Sequence, residues 1–302
     1  MTVRVERRNS HLIMTLDRPQ ALNALNLEMI DILSKSIRNI ESDATLQGGI
    51  LTTSNPRAYC AGGDIKQARE YAMNGRIDDA MRFFRAEYGL NKQMFHCSKP
   101  LVAMIDGVTM GGGVGISASC RYRVATPKTL WAMPEVGIGF FPDVGAAYYL
   151  ARMPNDYGLY LGMTGARVDD PALLLGAGIA TNIIDSSHVN EFIDIVVNHG
   201  MDQAISEFDL SILSKFPIKQ DILYDPSYAP LSVCVAEQHI KKAQGEDFDT
   251  VIARDLKLAA KFMIEPDFVE GVRAVVVDKD RSPAWSCTRE DLKDFNIDRY
   301  LN

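Results

Sequence analysis

The sequence predicts an α/β protein, and three observations carry that reading. Short apolar, strand-like runs alternate with helix-like segments through the first half, glycine-rich turns follow those runs, and from about residue 190 the pattern turns wholly helical. The 302 residues are 47% hydrophobic and 24% charged, which is ample material for a core in one or two domains. A soft boundary near residue 190 separates an expected core, 1–190, from a helical region, 191–302.

Taken in order, "HLIMTLD" (11–17) reads as a strand that stops at Arg18-Pro19. Residues 26–43 then place Met29, Leu33, Ile37 and Ile40 at helical spacing. "GGILTTS" (48–54) and "LVAMIDG" (101–107) are apolar runs bounded by glycine, each followed by a glycine-rich turn and a helix candidate. Stacked β/α units follow, with a sheet buried on at least one face. In residues 77–95, Ala80, Phe84, Glu87, Asn91 and Met94 fall on one helical face, so Glu87 points to the apolar side. Residues 247–264 read as a further helix.

Composition excludes several functions. A net charge of −7 argues against general nucleic-acid binding, while leaving room for a small anionic ligand on local Lys, Arg or backbone amides. Apolar stretches break well before the roughly 18 residues of a membrane span, and Met1 to Ser10 is too charged for a secretory leader, so a cytosolic location without membrane contact is expected. Cys60, Cys97, Cys120, Cys234 and Cys287 are scattered and form no C-x-x-C pair, and the histidines are isolated. With no G-x-S-x-G elbow either, neither a metal site nor a serine hydrolase is expected.

"YCAGGDI" (59–65) and "DGVTMGGGVGIS" (106–117) each follow a strand-like run, and their glycines leave backbone N–H groups uncovered. If Gly112 opens a helix, two such turns can aim amides at one oxygen, the outline of an oxyanion hole. Close helix–sheet packing explains the same glycines equally well. Glu135, in "WAMPEVGIGFFPDVG" (131–145), is expected on a turn at the sheet edge. A solvated carboxylate is the plain alternative there, but Trp131, Met133, Val136, Ile138 and Phe140 make an apolar wall that would raise its pKa and suit an acid or base. Asp143 precedes the helix-like "VGAAYYLARM", so N-capping and catalysis both fit it. Glu87 needs a ligand or an ion-pair partner, with Arg82, Arg85 and Lys92 on the same helix.

"LDRPQALNALN" (16–26), "YCAGGDI", "DGVTMGGGVGIS", "MPEVGIGFFPDVG" and "EGVRAVVVDKDRSPAW" (270–285) together resemble, in order, the signature blocks of the enoyl-CoA hydratase/isomerase, or crotonase, superfamily. Within it the chain is most similar to the 3-hydroxyisobutyryl-CoA hydrolases. The resemblance implies a crotonase-like spiral of repeated ββα units with a C-terminal helical region, and a homo-oligomer, a trimer or a multiple of one. It implies an oxyanion hole at the amides of Gly63 and Gly112 for an acyl-CoA thioester, and a CoA lining that includes Leu25 and Ala61, with Lys66 or Arg18 offering charge to the phosphates. No cofactor is implied beyond the coenzyme A of the substrate, and valine catabolism is the implied setting.

The carboxylates choose among activities. Family hydratases place a first glutamate three residues after the middle glycine of the GGG turn, where this chain has Gly115, so hydration is disfavoured. The second hydratase glutamate corresponds to Glu135, and the hydrolases add an aspartate eight residues on, here Asp143. "FFRAEY" (83–88) likewise resembles the hydrolases, with Glu87 at their substrate-contacting glutamate. A thioester hydrolase with Glu135 and Asp143 as catalytic groups is therefore expected, ahead of an isomerase working with one glutamate and of a non-catalytic acyl-CoA-binding protein. Residues 190–230 are compact beside the longer segment usual in those hydrolases, which leaves the acyl group open.

Overall fold

The computed structural model describes residues 2–212, 214–215, 217, 219–222 and 225–302. Strands β1 (Val3–Arg8), β2 (His11–Leu16), β3 (Gly48–Thr53), β4 (Ala58–Cys60), β5 (Leu101–Ile105), β6 (Val108–Met110), β7 (Tyr122–Ala125), β8 (Leu130–Ala132) and β9 (Asn182–Ile183) form two sheets. The helices are α1 (Leu27–Ser42), α2 (Ile65–Met73), α3 (Ile77–Phe95), α4 (Gly112–Ala118), α5 (Ala146–Leu150), α6 (Tyr157–Thr164) and α7 (Pro171–Gly176). They continue as α8 (Val189–His199), α9 (Met201–Phe208), α10 (Pro230–Lys242), α11 (Phe248–Phe262), α12 (Pro266–Val272) and α13 (Ile297–Leu301).

Two compact units interleave along the chain. The first takes Met1–Gly63, Gly89–Trp131 and Val168–Pro217, and the second takes Asp64–Tyr88, Ala132–Arg167 and Ile218–Asn302. This division does not follow a single boundary at residue 190: α8 and α9 join the sheet because Phe192, Ile193, Val196 and Val197 pack with Ile13, Ile50, Val102 and Val124. The compact 190–230 stretch includes Leu213, Phe216, Ile218, Leu223 and Tyr224, which lie outside the described residues.

In the first unit the larger sheet runs β1-β2-β3-β5-β7-β9, with β1 antiparallel to β2 and every later pairing parallel. Its second face is covered by α1, whose Ile40 Cδ1 lies 2.5 Å from where a Cβ on Gly49 would sit. Covered on both faces, β3 reads as a continuous buried run with no alternation. Along the chain β3 is followed by β4, β5 by β6 and β7 by β8; the first of each pair joins the large sheet and the second joins the small one, β4-β6-β8. Helices follow each pair, which is the ββα repeat that the resemblance implies.

Helix α1 begins where Asn26, in extended conformation, accepts a hydrogen bond from the Met29 amide at 2.9 Å. Asn26→Ala is expected to cost about 1 kcal/mol of unfolding free energy. Urea titration followed by circular dichroism checks it.

The second unit packs helices around phenylalanines. Phe140 stacks on Phe84 at 5.4 Å between ring centroids and meets Phe141 at 4.7 Å, Phe262 at 5.4 Å and Phe268 at 5.5 Å. Offset and edge-on rings of this kind fix the positions of the segments that carry them.

Candidate active site

Within the second unit, three buried carboxylates gather on this aromatic floor. The chain leaves β8 through Pro134 and makes one 3-10 turn, Glu135–Ile138, so Glu135 stands on a short helical turn where the sequence suggested an irregular one. Two glycines clamp that turn against α12. A Cβ on Gly139, whose φ is +69°, would lie 2.1 Å from the Asp267 carbonyl oxygen, and one on Gly271 would lie 2.3 Å from the Ile138 carbonyl carbon. Only glycine allows backbones this close. The Phe140 amide donates to the Glu135 carbonyl and the Ala229 amide to the Val136 carbonyl, both at 3.1 Å.

Asp143 does not cap the next helix. Val144 (φ +56°) and Gly145 (φ +76°) form a left-handed turn between it and α5, whose N-cap is Gly145, with no side-chain capping bond. The Asp143 side chain instead turns to α3, where the Tyr88 hydroxyl donates to Oδ2 at 2.6 Å. Of the two sequence readings, capping is thus displaced, because the turn carries the carboxylate away from the helix end.

Glu87 is 2% exposed on the apolar face of α3, with Ala80 and Phe84, as its helical spacing predicts. Of the ion-pair partners considered for it, Arg85 reaches Asp78 instead, at 3.5 Å. One carboxylate oxygen of Glu87, Oε1, and one of Glu135, Oε2, are buried with no hydrogen-bond partner among the described residues. Buried carboxyl oxygens in that state call for a bound group or a proton.

The electrostatics favour the proton. Burial pushes the Glu135 carboxyl well above the ordinary glutamic acid range, and the Asp143 and Glu87 charges push the same way. Glu87 is raised by burial first and by Asp143 second. Burial lifts Asp143 to about 7; the Tyr88 hydroxyl opposes this by favouring the ionised form, and Asp255 adds to it. Three carboxyls whose proton affinities are raised together in one apolar site are equipped to hold and pass protons.

Sequence reading missed Tyr88 and Asp255. The test that singled out Glu87 also finds Asp255, since Val251, Asp255, Leu258 and Phe262 share the buried face of α11. Tyr88 carried no separate signal, because a tyrosine on a buried helix face is ordinary core.

In the first unit, β4 and β6 pair in parallel with Cys60 opposite Thr109, so the turns at 61–63 and 110–112 leave the same edge of the small sheet. Leu25 bridges to Gly63, its amide donating to the Gly62 carbonyl at 2.8 Å, while the Ala61 amide donates to the Leu22 carbonyl at 3.0 Å. Helix α4 starts at Gly112, a first-turn amide with no acceptor inside the helix. Packing accounts for its neighbour: a Cβ on Gly113 would lie 2.2 Å from the Cys60 carbonyl oxygen. Leu25 is fully buried and Ala61 half-buried. The Arg18 guanidinium is engaged on the Ala24 carbonyl at 2.8 Å. In the second unit, Lys66 is exposed in the first turn of α2.

No group of three or more His, Cys, Asp or Glu side chains among the described residues could hold a metal ion, and none of their helices is long and apolar enough to cross a membrane.

Comparison with known proteins adds four findings. The family model described as enoyl-CoA hydratase/isomerase matches residues 11–222 and 226–301. The probable 3-hydroxyisobutyryl-CoA hydrolase 3 of Arabidopsis thaliana is 33% identical over 345 aligned positions, which cover 99% of this chain and 91% of that protein. The mitochondrial 3-hydroxyisobutyryl-CoA hydrolase of Mus musculus is also 33% identical, over 99% of this chain and 88% of its own. Among solved structures, a carnitinyl-CoA dehydratase from Mycobacterium thermoresistibile superposes with a TM-score of 0.91 at 28% identity, covering 100% of this chain and 96% of that one. The Arabidopsis alignment spans 345 positions against a chain of 302, so that relative carries segments with no counterpart here.

Proposed function

Because the chain belongs to the enoyl-CoA hydratase/isomerase family and shares its crotonase fold, we propose that it hydrolyses an acyl-CoA thioester, 3-hydroxyisobutyryl-CoA or a related 3-hydroxyacyl-CoA, to the free acid and CoA. The observation that carries this is the buried pair Glu135 and Asp143, with proton affinities raised by burial and one Glu135 oxygen left without a partner. The names of the Arabidopsis and mouse relatives support the same reaction and the same acyl group.

In this reading the amides of Gly63 and Gly112 polarise the thioester carbonyl, and Leu25, Ala61 and Lys66 contribute to CoA binding. Glu135 does the covalent or acid–base work. Either its carboxylate adds to the carbonyl carbon and the C–S bond breaks to give a mixed anhydride that water then hydrolyses, or it takes a proton from water as the hydroxide adds. In both routes the sulfur leaves as thiolate and gains a proton to become the CoA thiol. Asp143 and Glu87 hold the hydroxyacyl group and the reacting water. Coenzyme A enters as part of the substrate, and no separate cofactor has a role.

Valine catabolism is the setting this substrate fits. The cytosol is the location expected from the sequence, with the mitochondrion as the alternative that the mouse relative's name brings. The assembly that goes with the family is a homotrimer or a multiple of one.

Thiol release by the purified protein tests the reading. Fast release is expected from 3-hydroxyisobutyryl-CoA and 3-hydroxypropionyl-CoA, with none from crotonyl-CoA. Conversion of a 3-enoyl-CoA without thiol release would favour an isomerase instead, a reading that leaves Asp143 and Glu87 without work.

A further inference from the structure

Behind the carboxylate cluster runs a buried chain of four side chains that the proposed chemistry does not use. The Gly145 amide, two residues past Asp143, donates to Asp255 Oδ2 at 2.7 Å. Asp255 Oδ1 lies 2.6 Å from His239 Nε2, and both side chains are fully buried. Arg254 Nε donates to His239 Nδ1 at 2.9 Å, and its two terminal nitrogens grip Glu246 at 3.0 and 2.5 Å.

The hydrogen-bond directions along this chain are forced. Arginine can only donate, so His239 Nδ1 accepts, the ring carries its proton on Nε2, and that proton points at Asp255. One Asp255 oxygen is thereby saturated by His239 and the other is left for the Gly145 amide. The held amide belongs to a turn that is costly for its sequence, because Val144 is β-branched and sits at φ +56°. Val144 is 1% exposed and a Cβ on Gly145 would lie 2.4 Å from the Phe248 ring, so packing blocks escape by simple rotation while the hydrogen bond fixes the direction of the turn.

We propose that Asp255 is a positioning residue for the hydrolytic reaction: through the Gly145 amide it fixes the left-handed turn that aims Asp143 at the Tyr88 hydroxyl, with His239, Arg254 and Glu246 holding it in place. The inference rests on the reading of Asp143 as a working carboxylate. The groups facing Asp143 are Glu87 and Tyr88 from α3, Glu135 from the preceding turn, and Asp255 from α11 with His239 of α10 behind it. The Asp255 charge raises the proton affinity of Asp143 and the Tyr88 hydroxyl lowers it, so the two influences differ in sign.

Asp255→Asn is nearly isosteric and cannot satisfy both neighbours: its NH2 must face either the His239 N–H or the Gly145 N–H, a donor against a donor. The test is the titration of Asp143 followed by 13Cγ-aspartate NMR, with Asp143→Asn assigning the signal, alongside thiol-release kinetics. In Asp255→Asn kcat is expected to fall by about tenfold or more with KM nearly unchanged, and Tyr88→Phe, which raises the Asp143 midpoint in the otherwise wild-type protein by removing its donor, is expected to leave the midpoint unmoved once Asp255 is Asn. His239→Gln, whose amide N–H still reaches Asp255, is expected to keep the midpoint and hold kcat within about threefold.

A midpoint that Tyr88→Phe still raises in a folded Asp255→Asn protein overturns the proposal, and so does a wild-type kcat in Asp255→Asn itself. If that variant does not fold, Glu246→Ala, which removes the acceptor of both Arg254 terminal nitrogens, decides at the more exposed end of the chain: about a threefold or larger fall in kcat at constant KM supports the positioning role, and an unchanged kcat overturns it. Should the wild type release no thiol at all, the hydrolase reading fails, while the NMR midpoint still decides the part played by Asp255.

Discussion

Glu135→Gln is expected to abolish CoA release, by about 1,000-fold or more in kcat, while CoA binding by calorimetry stays close to wild type. The amide has nearly the same volume and keeps one acceptor oxygen, so the turn held by Gly139 and Gly271 has no reason to move. What disappears is the only group in the proposed mechanism able to attack the carbonyl or accept a proton from water. Because burial holds the Glu135 carboxyl above the ordinary range, wild-type activity should rise with pH along a limb displaced upward from that of a normal glutamate. Single-turnover reaction in 18O water separates the two routes. Label in the Glu135 side chain marks a mixed anhydride opened at the glutamyl carbonyl, and label in the acid product alone leaves direct water attack or an anhydride opened at the acyl carbonyl, which trapping the anhydride with hydroxylamine tells apart. A variant that turned over normally would remove Glu135 from the chemistry altogether.

Asp143→Asn is expected to lower hydrolysis by about 100-fold and, in the same protein, to flatten the dependence of stability on pH. Asp143 titrates at about 7 in the folded chain, above its ordinary value of 3.8. The folded state therefore binds more protons than the unfolded one between those values, and its stability is full below the lower value and declines as pH rises through the upper one. Each titrating group contributes a slope of up to about 1.4 kcal/mol per pH unit. Thermal unfolding at a series of pH values should show the wild type losing stability from pH 4 to 7, with part of that loss gone in the variant. A variant that only lost about 1 kcal/mol at every pH and kept its hydrolysis would make the Tyr88 hydrogen bond, and not the chemistry, the job of Asp143.

Much of the fold can be read from the residues, and for a physical reason. Strands β2, β3 and β5 and helix α1 stand where runs and periodicity put them, because each buries a face whose pattern is local. The interleaving of the two units cannot be read this way. Nothing in residues 64–88 or 132–167 announces that they pack with helices beyond residue 218, since those contacts are made by single phenylalanines far apart in sequence. The site divides likewise. Glu87 declared itself as a carboxylate on an apolar helix face and Glu135 as a carboxylate in an apolar loop. For Asp143 the sequence allowed a cap or a working group, and only the left-handed Val144–Gly145 turn chose between them. That turn depends on an acceptor 110 residues away, which no local pattern can reveal.

That distance has a consequence for the order in which the molecule is made. During synthesis Glu87, Glu135 and Asp143 emerge long before α10, α11 and α12, so they meet water with the acidity of ordinary side chains and are ionised at neutral pH. The burial that raises their proton affinity is complete only when the last helices close over the phenylalanine floor. Completion of the fold is therefore also a chemical event. As the final helices settle, burial raises the proton affinity of all three carboxyls, so the step that encloses the acid–base machinery also sets its acidity.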